Sequence, residues 1–260
     1  MRAKKSDDRA DGRPDHPDQG HLASDHSVVL PRPLAVGTYP VTRREYGQFV
    51  QETGRRGGGC YGWNGITWTE AADRDWRRPG FTQTQRDPVV CVNYSDAESY
   101  AEWLNSKVAA TIRRPGIKVH GPYRLPTWDE AEYAAAAGTT TTFYWGEIPS
   151  RSAANYGKDD CFPCGPDRGD RDRWLFTSPV GAFPPNQFGL FDTAGNVFEW
   201  LDDCYPKVPA PSSCLYGPAR GGSWLTSFEY LRTDEFMLLE RANRNTNTGF
   251  RVVRDSTEQE

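Results

Sequence analysis

The chain has 260 residues, with 31 Lys and Arg against 35 Asp and Glu, for a formal net charge of −4. That length suits one large domain or two small ones. The mild charge gives no support to a nucleic-acid groove or an anionic-membrane surface. Proline (20), glycine (25) and tryptophan (9) are abundant and methionine is rare (2). This composition describes an ordered, loop-rich protein whose rings pin irregular segments, not a helical bundle.

Residues 1–26, "MRAKKSDDRADGRPDHPDQGHLASDH", are polar, with charges of both signs. They offer too little apolar surface to offset ordering entropy and read as a disordered tail. His16, His21 and His26 lie there at intervals of five, a spacing common by chance in a polar tail. The tail has no apolar stretch of the secretory type, and no run approaches the roughly 20 residues of a membrane span. A cytoplasmic protein with mostly free thiols is therefore expected.

The ordered part opens with "PVTRREYGQFVQETG". Thr42 and Glu45 have the spacing of a capping box, in which hydroxyl and carboxylate each accept the other residue's backbone N–H. Tyr46, Phe49 and Val50 fall on one face of the helix that follows, and Gly54 ends it. The same device is expected twice more. In "VNYSDAESYAEWLNSK", Ser95 caps and Glu98 closes the box, with Ala97, Tyr100, Ala101 and Leu104 facing inward. In "YRLPTWDEAEYAAAAG", Thr127 caps, Glu130 closes the box and Gly138 ends the helix. Further on, "TTTTFYWG" is β-prone, "PVGAFPPNQFGLFD" is full of turn signals, and "TGFRVVR" reads as one short buried strand. The sum is α+β, in a single domain spanning 27–256.

Six cysteines are present: Cys60, Cys91, Cys161, Cys164, Cys204 and Cys214. The "CFPC" pair at 161–164 could join Cys204 and Cys214 in a zinc site, form disulfides, or stay as free thiols packed under loops. Cys60, in the loop "GGGCYGW", and Cys91, in the apolar "PVVCVNY", are expected to be bystanders. His120 in "IKVHGPY" reads as a satisfied loop residue.

Five stretches in order, "PVTRREYGQFV", "YRLPTWDEAEYAAAAG", "NQFGLFDTAGNVFEW", "RGGSW" and "TGFRVVR", resemble the formylglycine-generating enzyme family, the sulfatase-modifying-factor domains. The resemblance implies a loop-rich domain related to the C-type lectin fold, with short helices around small antiparallel sheets and bound calcium. By resemblance, one calcium site takes the Asn155 side chain, the Tyr156 carbonyl, the Asp172 side chain and the Trp174 carbonyl. The other takes the Gly195 and Val197 carbonyls and the Glu199 carboxylate, with Asn196 beside them. Oxygen ligands of this kind suit a hard cation; the competing reading has the same side chains bonding loop backbone directly.

The oxidase branch of that family carries two copper-binding cysteines at the positions of Thr226 and Leu231. A hydroxyl and an isobutyl group cannot hold copper(I) or act as a thiolate, so standard cysteine-to-formylglycine oxidation is excluded. The nonheme-iron sulfoxide synthases of the family use three histidines that this chain does not supply. A thiol-free branch acting on siderophore chromophores keeps an enzyme possible. Candidates for a remodelled cleft are Thr226, Glu229, Tyr230, Arg232, Asp234, Glu235, Glu240 and Arg241, where a carboxylate near an arginine could act as general base or anchor a polar substrate. The family also includes display scaffolds varied just before "GFR", where this chain has Asn243, Asn245 and Asn247. The sequence thus leans to a tailoring enzyme with altered, oxidoreductase-like chemistry on a small molecule or peptide. The alternative is a non-catalytic, calcium-stabilised domain that binds a ligand or protein. Neither reading involves nucleic acid or membrane, and any redox metal is unassigned.

Overall fold

The computed structural model describes residues 30, 32–64, 66–112, 121–158, 173–205 and 214–256. The N-terminal tail, His120, Cys161, Cys164 and Asp172 lie outside them. The chain forms β1 (Leu34–Val36), α1 (Arg43–Thr53), β2 (Cys60–Trp63), β3 (Trp68–Ala71), α2 (Tyr94–Ile112), β4 (Tyr123–Arg124) and α3 (Trp128–Ala136). It continues through β5 (Phe198–Trp200), β6 (Tyr216–Arg220), β7 (Phe236–Glu240), β8 (Thr248–Gly249) and β9 (Val253–Asp255). Three short sheets result, in the orders β1-β9-β4, β2-β3 and β7-β6-β5-β8. This is the expected α+β class. The pairings are antiparallel except β5 with β8, which is parallel.

The first and third helices begin as the sequence predicts. The Glu45 carboxylate accepts the Thr42 N–H at 2.9 Å while the Thr42 hydroxyl accepts the Glu45 N–H at 3.3 Å. Thr127 and Glu130 repeat the exchange at 3.4 and 2.9 Å. Gly54 ends α1 at φ 69°, in the left-handed region that favours glycine. For α3 the left-handed cap is Ala137, one residue before the expected Gly138.

The start of α2 corrects the expected cap. Asn93 accepts the Asp96 N–H at 2.9 Å and Asp96 accepts the Asn93 N–H at 3.1 Å. The box is therefore two residues upstream of Ser95 and Glu98. Ser95 lies inside the helix, and its hydroxyl accepts from Arg55. Asp96 is buried because Arg55 and Arg244 close on it from two other segments, at 2.9 and 2.7 Å. Two guanidinium groups compensate the desolvation of one carboxylate.

The main core gathers Tyr46, Phe49 and Val50 of α1, Ala97 and Tyr100 of α2, Val89, Val92, Leu125, Phe198, Trp200 and Phe250. Tyr46 and Phe49 lie 5.2 Å apart, and Phe250 meets Tyr100 edge-on at 5.3 Å. Each such side chain contributes about 1.5–3 kcal/mol on burial. This cluster ties α1 and α2 to the sheet that carries "GNVFEW".

Two other expectations fail locally. "TTTTFYWG" makes no strand among the described residues. Thr139, Thr141 and Thr142 spend their hydroxyls on nearby groups, and Phe143 and Gly146 close a tight turn by exchanging backbone bonds at 2.9 and 3.0 Å. Such local bonds compete with a ladder. "TGFRVVR" splits into β8 and β9, in different sheets, because Phe250 and Arg251 turn into the interior between them.

The cysteines also depart from expectation. Cys60 and Cys91 are not bystanders but a buried disulfide, and Cys204 pairs with Cys214. Tyr61 and Cys91 donate their N–H groups to the adjacent carbonyls of Arg244 and Asn245, which brings the two distant thiols together. The Cys204–Cys214 bond removes those two sulfurs from any four-thiol zinc site. With Cys60–Cys91, it also departs from the expected free thiols, and the two disulfides point to a non-reducing compartment, against the expected cytoplasmic location. No described helix is long and apolar enough to cross a membrane.

Candidate functional site

The segment "RGGSWLTSFEYL" follows β6 and folds back on itself. Thr226 is fully buried, and its hydroxyl accepts the Ser223 N–H at 2.9 Å and faces the Ser223 carbonyl as donor at 3.2 Å. Its single O–H donor is thus spent inside the turn. Its carbonyl accepts the Gly157 N–H at 2.8 Å. At Gly157 a Cβ would lie 2.6 Å from the Leu225 carbonyl carbon, so these two stretches meet backbone to backbone. Leu231 packs against Phe143, Tyr144, Ala154, Tyr156 and Ala194. Thr226 and Leu231, which the resemblance aligns with the oxidase thiols, are therefore interior, one a turn cap and the other an apolar core residue.

The other cleft candidates do not converge. Tyr230 is buried against Phe198, 6.1 Å between ring centroids. Glu229 is exposed. Arg232 and Asp234 form a two-armed pair at 2.9 and 2.9 Å, and that pair holds the Asp234 carboxyl below its usual range. Glu235 accepts the N–H of Phe236 at 3.3 Å. Glu240 ends β7, four residues and about 13 Å along the strand from Phe236. Arg241 lies over the Tyr94 ring at 3.5 Å and donates to the Asp203 carbonyl. Of the candidate display positions, Asn243 is half-buried and Asn245 and Asn247 are buried: the Asn245 carbonyl receives Cys91, and the Asn247 amide donates to the Ser223 hydroxyl at 3.1 Å.

The carried-over calcium positions differ from one another. Asn155 is buried, its amide donates to the Phe176 carbonyl at 2.8 Å, and its Oδ1 has no hydrogen-bond partner. The Tyr156 carbonyl beside it accepts from Arg151, whose guanidinium also covers the Tyr156 ring at 3.6 Å. The Trp174 ring meets Phe183 at 5.6 Å. The orphaned Asn155 Oδ1 is a ligand that fits a hard ion, and the Tyr156 carbonyl could join it only by releasing Arg151. At the second position, Asn196 exchanges two bonds with the Ser178 backbone, at 3.0 and 3.1 Å. The Gly195 carbonyl accepts the Val197 N–H. Glu199 is engaged by Arg251 at both oxygens, at 3.0 and 2.9 Å. In this arrangement Asn196, the Gly195 carbonyl and Glu199 are engaged by protein partners, and the carboxylate could reach an ion only by displacing Arg251. Among the described residues no three His, Cys, Asp or Glu side chains group as a metal centre.

Three residues absent from the sequence reading shape this interior. Asp192 is buried, accepts the Gly181 N–H at 2.7 Å, and burial pushes its carboxyl up to about 6. Its signal was available: a lone carboxylate between Leu190, Phe191 and Ala194. Arg251 braces Glu199 and donates to the carbonyls of Gly37 and Phe191. Arg220 stands opposite Glu199 in the β5–β6 register, yet Glu199 turns to Arg251 instead. Burial lowers the Arg220 guanidinium to about 10, and its Nε and Nη1 have no partners. They border a cavity of about 20 Å³ shared with Thr193, Glu199 and Arg251. That is room for a water, which needs roughly 10–15 Å³ of such volume, and not for a substrate.

The family model for the sulfatase-modifying factor enzyme 1-like domain matches residues 4–256. The chain belongs to the sulfatase-modifying-factor family. It is 31% identical to the formylglycine-generating enzyme of Mycobacterium tuberculosis over a 293-residue alignment covering 88% of this chain and 90% of that one. It is 30% identical to the inactive C-alpha-formylglycine-generating enzyme 2 of Bos taurus, over 76% of this chain and 67% of the relative. Among solved structures, that of PvdO from Pseudomonas aeruginosa superposes with a TM-score of 0.68 at 29% identity, covering 86% of this chain and 81% of the other.

Proposed function

We propose that this sulfatase-modifying-factor protein has given up formylglycine generation and works by recognition, as a calcium-stabilised domain that binds a ligand or protein. The carrying observation is the state of the two thiol positions. Thr226 is locked as a turn cap and Leu231 fills an aromatic cluster. Changing the residue types alone would leave an open cleft with different chemistry. Here the positions are closed by packing, and the acids and arginines nearby are either paired with each other or separated along β7. A relative named as an inactive member of the family is consistent with such a course.

Calcium enters this proposal at one position. The Asn155 Oδ1 and the Tyr156 carbonyl would hold it, with Asp172 and the Trp174 carbonyl as the further donors the resemblance implies. Bound there, the ion supplies a cross-link between loops. The second position, with Glu199 committed to Arg251, is the less suited of the two.

A tailoring enzyme with altered chemistry is the second reading. Its support is the buried Asp192 and Arg220, because perturbed titrating groups concentrate at functional sites. The cavity there holds a water and no more, which favours a structural role. Elemental mass spectrometry of natively purified, undialysed protein separates the readings. Calcium near one equivalent without copper or iron is the expected result. Copper or iron at stoichiometric level would overturn the recognition reading.

A further inference from the structure

One face of α1, from Arg43 to Glu52, meets Trp76, Arg77 and Gln85 at a groove of about 740 Å³ that opens to solvent. It is lined chiefly by Arg43, Arg44, Gln48, Gln51, Trp76 and Arg77. Gly47 creates the floor: a Cβ there would lie 3.3 Å from the Trp76 ring, so a larger residue would push the indole outward by a few tenths of an ångström. A glycine in a helix interior costs about 1 kcal/mol relative to alanine, and its position here is accounted for by that contact. Arg77 stacks over the exposed part of the indole at 4.6 Å, and Tyr46 supports it from below at 5.4 Å.

The lining of the groove carries three arginines against one carboxylate, Glu52, which is paired with Lys107. Every carboxylate near it is engaged. Glu45 closes the capping box. Asp75 accepts the N–H groups of Arg77 and Arg78, at 2.8 and 2.9 Å. Asp87 is buried against Thr84 and Thr177. Glu52 takes Trp103 and Lys107. On the cationic side, Arg43 is a brace, donating to the carbonyls of Gln83 and Arg77 at 2.8 and 2.8 Å. Arg44 is exposed and makes no ion pair among the described residues, and the ion pair of Arg77 is a 3.5 Å contact with Asp75. Guanidinium groups with free N–H donors suit carboxylates, which they can take two-armed. The groove is open and its exposed Gln48 and Gln51 offer amides along the helix, so it matches an extended segment better than an enclosed small molecule.

We propose that this groove binds an acidic peptide segment of a partner protein, with carboxylates taken by Arg44 and by Arg77 where it is held on Trp76, and main-chain groups by Gln48 and Gln51. The proposal rests on the recognition reading above and gives it a ligand class. The test is fluorescence anisotropy of the full chain with a labelled glutamate-rich 12-residue peptide, beside a glutamine peptide of equal length. Saturable binding of the first alone is expected, weakening as salt rises because exposed ion pairs are screened. The Arg44→Glu/Arg77→Glu variant should bind at least tenfold more weakly with an unchanged melting temperature. Equal binding of the two peptides, or a variant within twofold of the parent, would overturn the proposal. So would full competition by millimolar inorganic phosphate, which would make this a small-anion site, or binding to phosphatidylserine vesicles without binding to peptide. Failure of the recognition reading is told apart by its own readout: a protein carrying stoichiometric copper that still binds the peptide keeps the groove and loses that reading.

Discussion

The turn at Ser223–Thr226 and the groove on α1 are opposites. In the first, a hydroxyl, two backbone groups and an isobutyl side chain are all satisfied inside the protein. In the second, arginines face solvent while each nearby carboxylate is tied to a cap, a turn or another cation. In the proposed reading, the positions aligned with the family's thiols have become interior structure, and cationic groups without a close carboxylate partner lie at a surface instead. Residue identity and residue burial are thus separate losses. The first removes the thiols; the second removes the place where a substrate could meet them.

Perturbing the closed region should cost stability, and perturbing the open one should not. Leu231→Ala is expected to show the largest effect, a loss of about 3–5 kcal/mol in chemical denaturation, since a fully packed leucine leaves a cavity among Phe143, Tyr144 and Tyr156. Replacing Cys60 and Cys91 together by alanine should cost about 2–4 kcal/mol and lower the melting temperature, because the bond restrains the unfolded chain. An unchanged denaturation midpoint in either variant would break the contrast. Thr226→Val keeps the shape but leaves the Ser223 N–H without its acceptor, for a cost of about 1–3 kcal/mol. A neutral result there would show that the hydroxyl does not hold the turn. At the small end, Arg44→Glu/Arg77→Glu should stay within about 0.5 kcal/mol of the parent, as surface substitutions away from packed features do.

Much of the fold could be read from local text. The boxes at Thr42 and Thr127 are complete within four residues, so a short window contains all their physics. The α2 start was misread because Ser95–Glu98 and Asn93–Asp96 have the same spacing. What chooses between them is Arg55 and Arg244, 41 and 148 residues from Asp96. The Cys60–Cys91 bond was hidden for the same reason: the two thiols meet through a backbone stretch near Arg244 that neither sequence context contains. Asn245 and Asn247 look like surface residues in an asparagine-rich run, yet they carry the bonds that hold β8 and the Ser223 turn together. At the candidate site, the loss of thiols was legible from residue types alone. The closure of the site was not, because it depends on Gly157 and Leu225 touching across 68 residues of chain. Glu199 was expected to face a metal, and its partner Arg251 was out of reach of any local pattern.

The most direct test of the account is to incubate the purified protein with copper, reductant, oxygen and a cysteine-containing sulfatase peptide, and to follow the peptide by mass spectrometry. The account predicts unmodified cysteine, at every time point, beside a competent relative that converts it. A formylglycine product would contradict it, showing that Thr226 and Leu231 do not occupy the reactive positions or that the reaction proceeds without the two thiols.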